Sequence, residues 1–458
     1  MAKKPRFFSP QKKPARPLPA QAEATIEKFS HDMRGIARVG GKTVFVDNAL
    51  PGENVRFRYT ERRAKFDEGA ATEILRPAGE RCEPRCPHVA LCGGCSLQHL
   101  APAAQIAEKQ QILVDQLARF GEIEVPEVLP PLVAEPFGYR RKARIGIRWL
   151  KKRSGKNPPG LLFGFREKRS NDLTDIGECH VLHLQVAEQI PRLKQLVTDS
   201  DGRANFSQLE VAVGEDHAAV VLRHLKPLTD ADRGRWQGFA ADTGIHLYLQ
   251  PGDAGTAHRV WPGEGGEERL HYALPEFDLT LAFHPLDFIQ VNFAINRQMV
   301  GRAVALLDPQ PGERVLDLFC GLGNFTLPLA LRAGAVVGVE GEGALTERAE
   351  ENAARNGLDN VEFHAADLTR DIAAQPWARG GFDRILLDPP RNGALEVVRQ
   401  LARFGAKRIV YVSCNPATLA RDAGELAALG YQLASAGVMD MFPHTSHVES
   451  MAVFNRVS

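Results

Sequence analysis

Five short apolar runs in the last third of the chain constrain its fold more than any other feature. They are VLDLF (315–319), AVVGVE (335–340), VEFHAAD (361–367), DRILLD (383–388) and RIVYVSC (408–414). Each leads into helix-like or Gly/Pro-rich sequence. Strands alternating with helices in this way build a parallel, doubly wound α/β sheet. In such sheets ligands bind outside the carboxyl ends of the strands, so the residues ending each run are the first candidates for function.

The first run ends in a Gly-rich turn, Asp317-Leu318-Phe319-Cys320-Gly321-Leu322-Gly323-Asn324. Gly321 and Gly323 let the backbone approach a ligand closely. The spacing is D-x-x-x-G-x-G, not the G-x-G-x-x-G of dinucleotide sites. The second run ends in Glu340, placed to accept hydrogen bonds from ribose hydroxyls, and the third in Asp367, placed to accept from an adenine amino group. Acids after successive strands suit a nucleoside without a pyrophosphate, and S-adenosylmethionine is such a ligand. Strand four ends in Asp388-Pro389-Pro390-Arg391. Methyltransferases acting on exocyclic amines usually carry an aromatic residue after the two prolines, so that chemistry is not expected. Strand five ends in Cys414, which at this edge can serve as a thiolate nucleophile. A buried small hydrophobe is an equal reading on local sequence alone. Cys320, inside the turn, is expected to pack there. Near the C-terminus, FPHTSHVESM (442–451) offers Glu449 as a general base.

Upstream, the composition is uneven. The formal charge is +1, yet residues 1–20 hold six Lys/Arg and no acid, and residues 140–169 hold twelve with only Glu167 opposing; the remainder sits at −16. Two basic segments on an acidic body point to a polyanion. Residues 1–20 read as a disordered basic tail and 21–80 as short strands in an OB-like barrel. Residues 81–280 read as a small α+β central domain of strands and loops. Residues 281–458 read as the catalytic sheet. Residues 101–120 show helical periodicity, with Ile106, Ile112, Leu113 and Leu117 on one face, and this helix is expected to pack on the catalytic domain. No stretch reads as membrane-spanning or as a signal peptide, so a reducing cytoplasm and a monomer are expected.

In that compartment, clustered cysteines point to metal. Cys82, Cys86, Cys92 and Cys95 form C-x3-C-x5-C-x2-C, with Gly93-Gly94 expected to permit a tight turn. These four satisfy zinc by themselves. An iron–sulfur cube often takes one distant thiolate, and Cys179 is a candidate. Spacing leaves both metals open.

Taken together, FIQVN (288–292), LDLFCGLGNF, GVEG, LLDPPR, VSCNPATLARD and FPHTSHVESM closely resemble the RNA (uracil-5-)-methyltransferases, over nearly the whole chain beyond the basic tail. Residues 21–80 are similar to the TRAM module. Together with the CPHVALCGGCSLQH cluster they look like the branch that methylates a uridine of 23S ribosomal RNA and carries a [4Fe-4S] cluster. The resemblance implies Cys86, Cys92, Cys95 and Cys179 as cluster ligands, leaving Cys82 extra. It implies Gln290, Phe319, Asn324, Glu340, Asp367 and Asp388, with Gly321 and Gly323, as the S-adenosylmethionine site. It implies Cys414 as nucleophile, Glu449 as base and Asp388 as an orienting group for uracil. Enzymes that methylate cytosine carbon 5 carry a second Cys in the Asp-Pro motif, which this chain lacks. The basic segment, led by Arg140, Arg141, Lys142 and Arg144, would contact phosphates, and an RNA-facing basic cleft would lower the Cys414 pKa. The same reaction on tRNA, or on several rRNA uridines, is the near alternative; a non-catalytic iron–sulfur RNA-binding protein is the distant one.

Overall fold

A computed structural model of the chain describes residues 21–155, 157–263 and 269–457. The tail expected over 1–20 lies outside these residues. Contacts divide the chain at Arg81/Cys82 into two compact units.

The first unit is a six-stranded sheet. Its strands are β1 (Ala22–Thr25), β2 (Lys28–Phe29), β3 (Gly35–Val39), β4 (Lys42–Asp47), β5 (Asn54–Arg62) and β6 (Phe66–Arg76), in the order β1-β5-β6-β4-β3-β2. Alternating side chains Val44, Val46, Val55 and Phe57 point into one core with Ile26 and Ala37. Gly40 and Gly41 (φ +58° and +82°) make the β3–β4 turn. Glu53, fully buried, is held by Arg81 and by the N–H groups of Leu50 and Ala78.

The second unit begins with the cysteine segment and α1 (Pro102–Phe120), the helix expected from periodicity; a short β7 (Glu127–Val128) follows. A mixed sheet then forms from β8 (Lys142–Leu150), β9 (Gly160–Gly164), β10 (Phe206–Val213), β11 (Ala218–His224), β12 (His246–Gln250) and β13 (His258–Trp261), ordered β13-β12-β11-β10-β8-β9. One face packs on α2 (Leu184–Ala187), α3 (Ile190–Asp199) and α4 (Asp230–Thr243) around Trp236, Leu193 and Leu209. The sequence had suggested only strands and loops here. α4 escapes a periodicity reading because its buried face carries just Trp236, Phe239 and Ala240 with Asp232, and two glycines interrupt it. Its start is set by Thr229, whose hydroxyl accepts from the Asp232 N–H.

A hairpin, β14 (Leu270–Leu274) and β15 (Leu279–Phe283), leads through α5 (Phe293–Leu307) into the eight-stranded sheet. That sheet has β16 (Arg314–Leu318), β17 (Ala335–Glu340), β18 (Val361–Ala365), β19 (Arg384–Leu387) and β20 (Arg408–Ser413), all parallel, at the positions of the five apolar runs. Helices α6 (Thr326–Ala330), α7 (Gly343–Arg355), α8 (Leu395–Leu401) and α9 (Pro416–Ala428) alternate with them. Two further strands, β21 (Tyr431–Met439) and β22 (Glu449–Arg456), close the order β18-β17-β16-β19-β20-β22-β21-β7. β22 runs antiparallel between β20 and β21, so the chain re-enters the sheet directly beside the strand that Cys414 follows. α1 packs on α9 and β21. Gly121, just past its end, lies so close to α9 that a Cβ would meet Ala420 O at 2.9 Å. No helix among the described residues is long and apolar enough to cross a membrane.

Candidate active site

The Gly-rich turn after β16 is a strained one. Phe319, a non-glycine, sits at φ +65°, with Gly321 at +55° and Gly323 at +95°. Phe319 and Cys320 donate their N–H groups to Val339 O, which ties the turn to β17. Cys320 is buried beneath Gly338, where a Cβ would meet its Sγ at 3.1 Å, so it packs as expected. Glu340 at the end of β17 accepts from Gly321 N–H (3.1 Å) and Gly341 N–H (2.7 Å). It therefore braces the turn as well as facing it. Asn324 is fixed by three hydrogen bonds: its Oδ1 accepts from Tyr272 Oη (2.8 Å) and Asn296 Nδ2 (3.0 Å), and its Nδ2 donates to Asn296 Oδ1 (2.9 Å). Tyr272 and Asn296 are both buried and were not legible as site residues; nothing in their local sequence marks them. Asp317 is fully buried under the turn, with one oxygen accepting from Thr326 Oγ1 and the other without a partner. Burial, opposed by the Thr326 bond and aided by the nearby Asp388 and Glu340 charges, pushes its pKa up to about 8. Asp367, by contrast, is half exposed and held by Thr369 and Arg370. Gln290 is half-buried, one residue from the buried Ile289, while Phe288 is 73% exposed.

The candidate reacting groups lie at the same edge of the sheet. Ser413 pairs with Ser450 across the β20–β22 ladder, so Cys414, the first residue after β20, and Glu449, the first of β22, lie at the same open edge. Asp388 follows β19, and its N–H donates to Leu318 O, drawing it toward the turn. Asn415 caps α9 through its Oδ1 and donates its Nδ2 to Arg391 O, joining the two loops. Burial raises the Cys414 pKa to about 11, and the Glu449 and Asp388 charges add to the rise; Arg391 opposes it. That reverses the expectation of a lowered thiol pKa: the groups nearest the sulfur are acids. Burial and Asp388 raise Glu449 to about 8, with Lys109 and Arg391 opposing. Burial and Glu340 raise Asp388 to about 7.

Four thiols, those of Cys86, Cys92, Cys95 and Cys179, line one cavity of about 510 Å³. Cys82 is not among its walls, and its Sγ donates to Gln98 O. Burial pushes Cys95 up to about 12 and Cys179 to about 11, each with added repulsion from Cys86 and Cys92. Among the described residues no three His, Cys, Asp or Glu side chains converge as ligands of a single metal ion. Gly93 and Gly94 do lie in a turn, but one without positive φ, so it does not itself demand glycine. Gly93 is required instead by a close approach, since a Cβ there would lie 2.9 Å from Arg166 O.

The same cavity is walled by Arg140, Arg144, Phe442, Thr445 and His447, so it reaches the loop before Glu449. That loop is held from outside the catalytic sheet. His444 O accepts from the N–H groups of Ser96 and Leu97 (2.8 and 2.9 Å), directly after Cys95. From α1, Gln105 Oε1 accepts from His444 N–H (2.8 Å), and Lys109 Nζ donates to Asp440 Oδ1 (2.7 Å) and Phe442 O (3.0 Å). Tyr139 Oη donates to Pro443 O (3.2 Å). Within the basic segment the side chains divide. Arg140 lies over the Phe442 ring, Arg141 over Phe293, and Lys142 donates to Asp287 O and pairs with Glu210 (3.4 Å). Arg144 is 66% exposed while paired with Glu210.

A doubly wound sheet with an antiparallel seventh strand, a Gly-rich turn braced by an acid on β17, and reacting groups at the same edge define an S-adenosylmethionine-dependent methyltransferase. The family model described as tRNA (uracil-5-)-methyltransferase matches residues 278–457, and the TRAM domain model matches residues 21–71. The chain is 54% identical to the 23S rRNA (uracil(1939)-C(5))-methyltransferase RlmD of Alcanivorax borkumensis, covering 96% of this chain and 98% of that one. It is also 54% identical to the protein of that name from Alkalilimnicola ehrlichii, covering 95% and 96%. Among solved structures it is similar to the tRNA (uracil-54, C5)-methyltransferase of Pyrococcus abyssi in complex with S-adenosyl-L-homocysteine, with a TM-score of 0.72 and 27% identity, covering 94% of this chain and 99% of that one. The chain belongs to the RNA (uracil-5-)-methyltransferase family.

Proposed function

We propose that this enzyme transfers a methyl group from S-adenosylmethionine to carbon 5 of one uridine in 23S ribosomal RNA, through a covalent bond between Cys414 and carbon 6 of the base. The observation that carries the reading is the placing of Cys414 and Glu449 at the same sheet edge beside the braced turn. When bound, S-adenosylmethionine supplies an electrophilic methyl on a sulfonium. Phe319, Gly321, Gly323, Asn324, Glu340, Asp367, Asp388 and Gln290 are its proposed surroundings. Carbon 5 of uracil is a weak nucleophile. The Cys414 thiolate adds to carbon 6 and leaves the ring an enolate, rich in electrons at carbon 5. After methylation, Glu449 takes the remaining carbon-5 proton, and the Cys414–carbon 6 bond breaks to return the thiolate. Asp388 orients the ring through its N–H. A cationic sulfonium near Asp317, Asp388 and Glu449, whose pKa values are raised, would favour their ionised forms.

The target base must leave its stack, which costs a few kcal/mol. Phosphate contacts from Arg140 and Arg144, with the exposed Arg148, Lys151, Lys152 and Arg153 beyond, offset this cost. Arg141 and Lys142 serve the same surface by holding its backbone.

Cys86, Cys92, Cys95 and Cys179 are the proposed ligands of a [4Fe-4S] cluster, which would act there as a structural cross-link. Four thiols spread around a cavity, two buried and two half-buried, rather than on one point, suit a polynuclear group better than a single zinc. Cys82 is then not a ligand. A monomer is proposed, acting in the cytoplasm where ribosomal RNA is found.

Architecture does not choose the RNA, since an enzyme named for tRNA shares the layout over 94% of this chain. The choice of 23S rRNA rests on the relatives at 54% identity. Labelled S-adenosylmethionine with unmodified 23S rRNA and, separately, unmodified tRNA tests it. Labelled 5-methyluridine at one mapped site in 23S rRNA is expected, and label in tRNA alone would discard that substrate.

A further inference from the structure

Lys109 is fully buried, yet it belongs to α1, a helix outside the residues that the catalytic family model matches. A lysine is seldom fully buried without a task for its charge. Its ammonium is spent on one target, the loop from Asp440 to Phe442. One helical turn earlier, Gln105 holds the next stretch of that loop through His444. The loop runs from Met439 at the end of β21 to Glu449 at the start of β22, and those two residues are paired in register. Fixing the loop therefore fixes where the Glu449 carboxylate stands relative to Cys414.

We infer that Lys109 is a positioning residue for the proton-removal step: it tethers the loop that carries Glu449 and keeps a positive charge beside that carboxylate. This rests on the reading of Glu449 as the base. The charged and titratable groups around Glu449 are Asp388 and Arg391 from the loop after β19, Cys414 after β20, and Lys109 from α1; its own loop adds Asp440, His444 and His447. Of these, Lys109 and Arg391 favour the ionised carboxylate, and Asp388 opposes it. Arg391 is exposed, whereas Lys109 is fully buried.

The step that Lys109 serves can be separated from the others. Once the Cys414 thiolate has formed, its addition and the methylation of carbon 5 need no ionised Glu449. Loss of the carbon-5 proton and expulsion of the thiolate do. A weakened base therefore leaves methylated RNA covalently attached to Cys414.

The test uses Lys109→Gln, which keeps a donor but no charge, and Lys109→Met with Asp440→Leu, which leaves no unpaired buried charge. Lys109→Arg keeps the charge. With 23S rRNA and labelled S-adenosylmethionine, the covalent protein–RNA band on a denaturing gel and the released methylated RNA are followed from pH 6 to 9.5. In the two neutral variants, release is expected to slow ~10-fold or more at pH 7 while label still enters the adduct. The release limb is expected to move to higher pH, and Lys109→Arg to restore much of it. Adduct and product falling together, with the limb unmoved, would assign Lys109 to fold stability alone and overturn the proposal. Glu449→Gln is the control. If it accumulates no adduct, the reading of Glu449 fails and the role of Lys109 falls with it; if it does and the Lys109 variants do not, only Lys109 is wrong.

Discussion

Cys414 directly follows β20 and Glu449 opens the adjacent antiparallel β22, each one residue beyond the paired Ser413 and Ser450. Opposed residues in such a ladder have Cβ atoms about 5 Å apart, so a planar base bonded to the sulfur lies within reach of the carboxylate. Thiol and acid are thus positioned by strand register. A one-residue slip of β22 would send Glu449 to the other face of the sheet.

In the proposed mechanism the two groups act at different steps, so their variants should fail differently. Cys414→Ala is expected to bind RNA but form neither adduct nor product. Glu449→Gln is expected to form adduct and lose turnover by about 10²–10⁴-fold, the span usual for a general base. Denaturing gels with labelled S-adenosylmethionine check both. Product from Cys414→Ala would remove the covalent step from the mechanism.

Asp317 makes the stability of the catalytic unit depend on pH. Its pKa is raised on folding, from 3.8 to about 8, so the folded chain holds its proton more tightly than the unfolded one. That contribution is complete below the unfolded value near 4 and is lost as pH rises through about 8. Asp317→Asn keeps an acceptor for Thr326 and should flatten the fall in Tm between pH 5 and 8. S-adenosylmethionine carries one more positive charge than S-adenosylhomocysteine. It should therefore stabilise the wild type increasingly more than the homocysteine form as pH rises, and less so in Asp317→Asn. Melts across pH with each ligand decide this; parallel curves for the two proteins would discard it.

Much of the catalytic sheet was legible because its strands are short, apolar and ended by residues that only a ligand site needs together. What stayed hidden were polar groups doing internal work. Lys109 and Gln105 lie in AQIAEKQQ, which reads as the wet side of an amphipathic helix; their partners, Asp440 and His444, are more than 300 residues away. β21 was missed because Tyr431–Met439 is small and mixed in character, and its burial comes from β22 and α1 on either side. The basic segment was visible as charge, but sequence could not separate Arg144, which faces solvent, from Arg141 and Lys142, which are consumed inside.

Tyr272 and Asn296 hold Asn324 in the cofactor turn, so they should matter to S-adenosylmethionine affinity without touching it. Tyr272→Phe removes one buried hydrogen bond, about 0.5–1.5 kcal/mol. If that loss falls on the bound state, Kd rises by about 2- to 10-fold. Asn296→Ala removes two and should weaken binding further. Titration calorimetry with S-adenosylhomocysteine gives the answer. Unchanged affinity in both would mean the turn is held by Gly321–Glu340 and Phe319–Val339 alone.

The proposed cluster can be tested through iron content and through the loop that the cysteine segment supports. Cys179→Ser is expected to lose the brown colour and the iron, because that thiol lines the cavity from a distant part of the chain; Cys82→Ser is expected to keep both. Ser96 and Leu97, directly after Cys95, donate to His444 O, so loss of the cluster should loosen the 440–447 loop before it unfolds the sheet. Hydrogen exchange on protein prepared with and without iron would show this as faster exchange confined to residues 86–97 and 440–447. Equal protection in both forms would separate the cluster from the active-site loop.

Salt dependence should distinguish the two kinds of basic residue. Each phosphate contact contributes about 0.7–0.9 to the slope of log K against log salt. Arg144→Ala should lower that slope by roughly one contact and weaken binding to any RNA alike. Lys142→Ala should leave the slope nearly intact, since its ammonium is engaged by Glu210 and Asp287. Its cost should appear instead in catalysis, because the Asp287 carbonyl it holds leads directly into the 288–292 segment beside the proposed cofactor site. Binding measured at several salt concentrations, alongside single-turnover rates, separates the two effects. A full unit of slope lost in Lys142→Ala would place that ammonium on a phosphate and require its pairs with Glu210 and Asp287 to break when RNA binds.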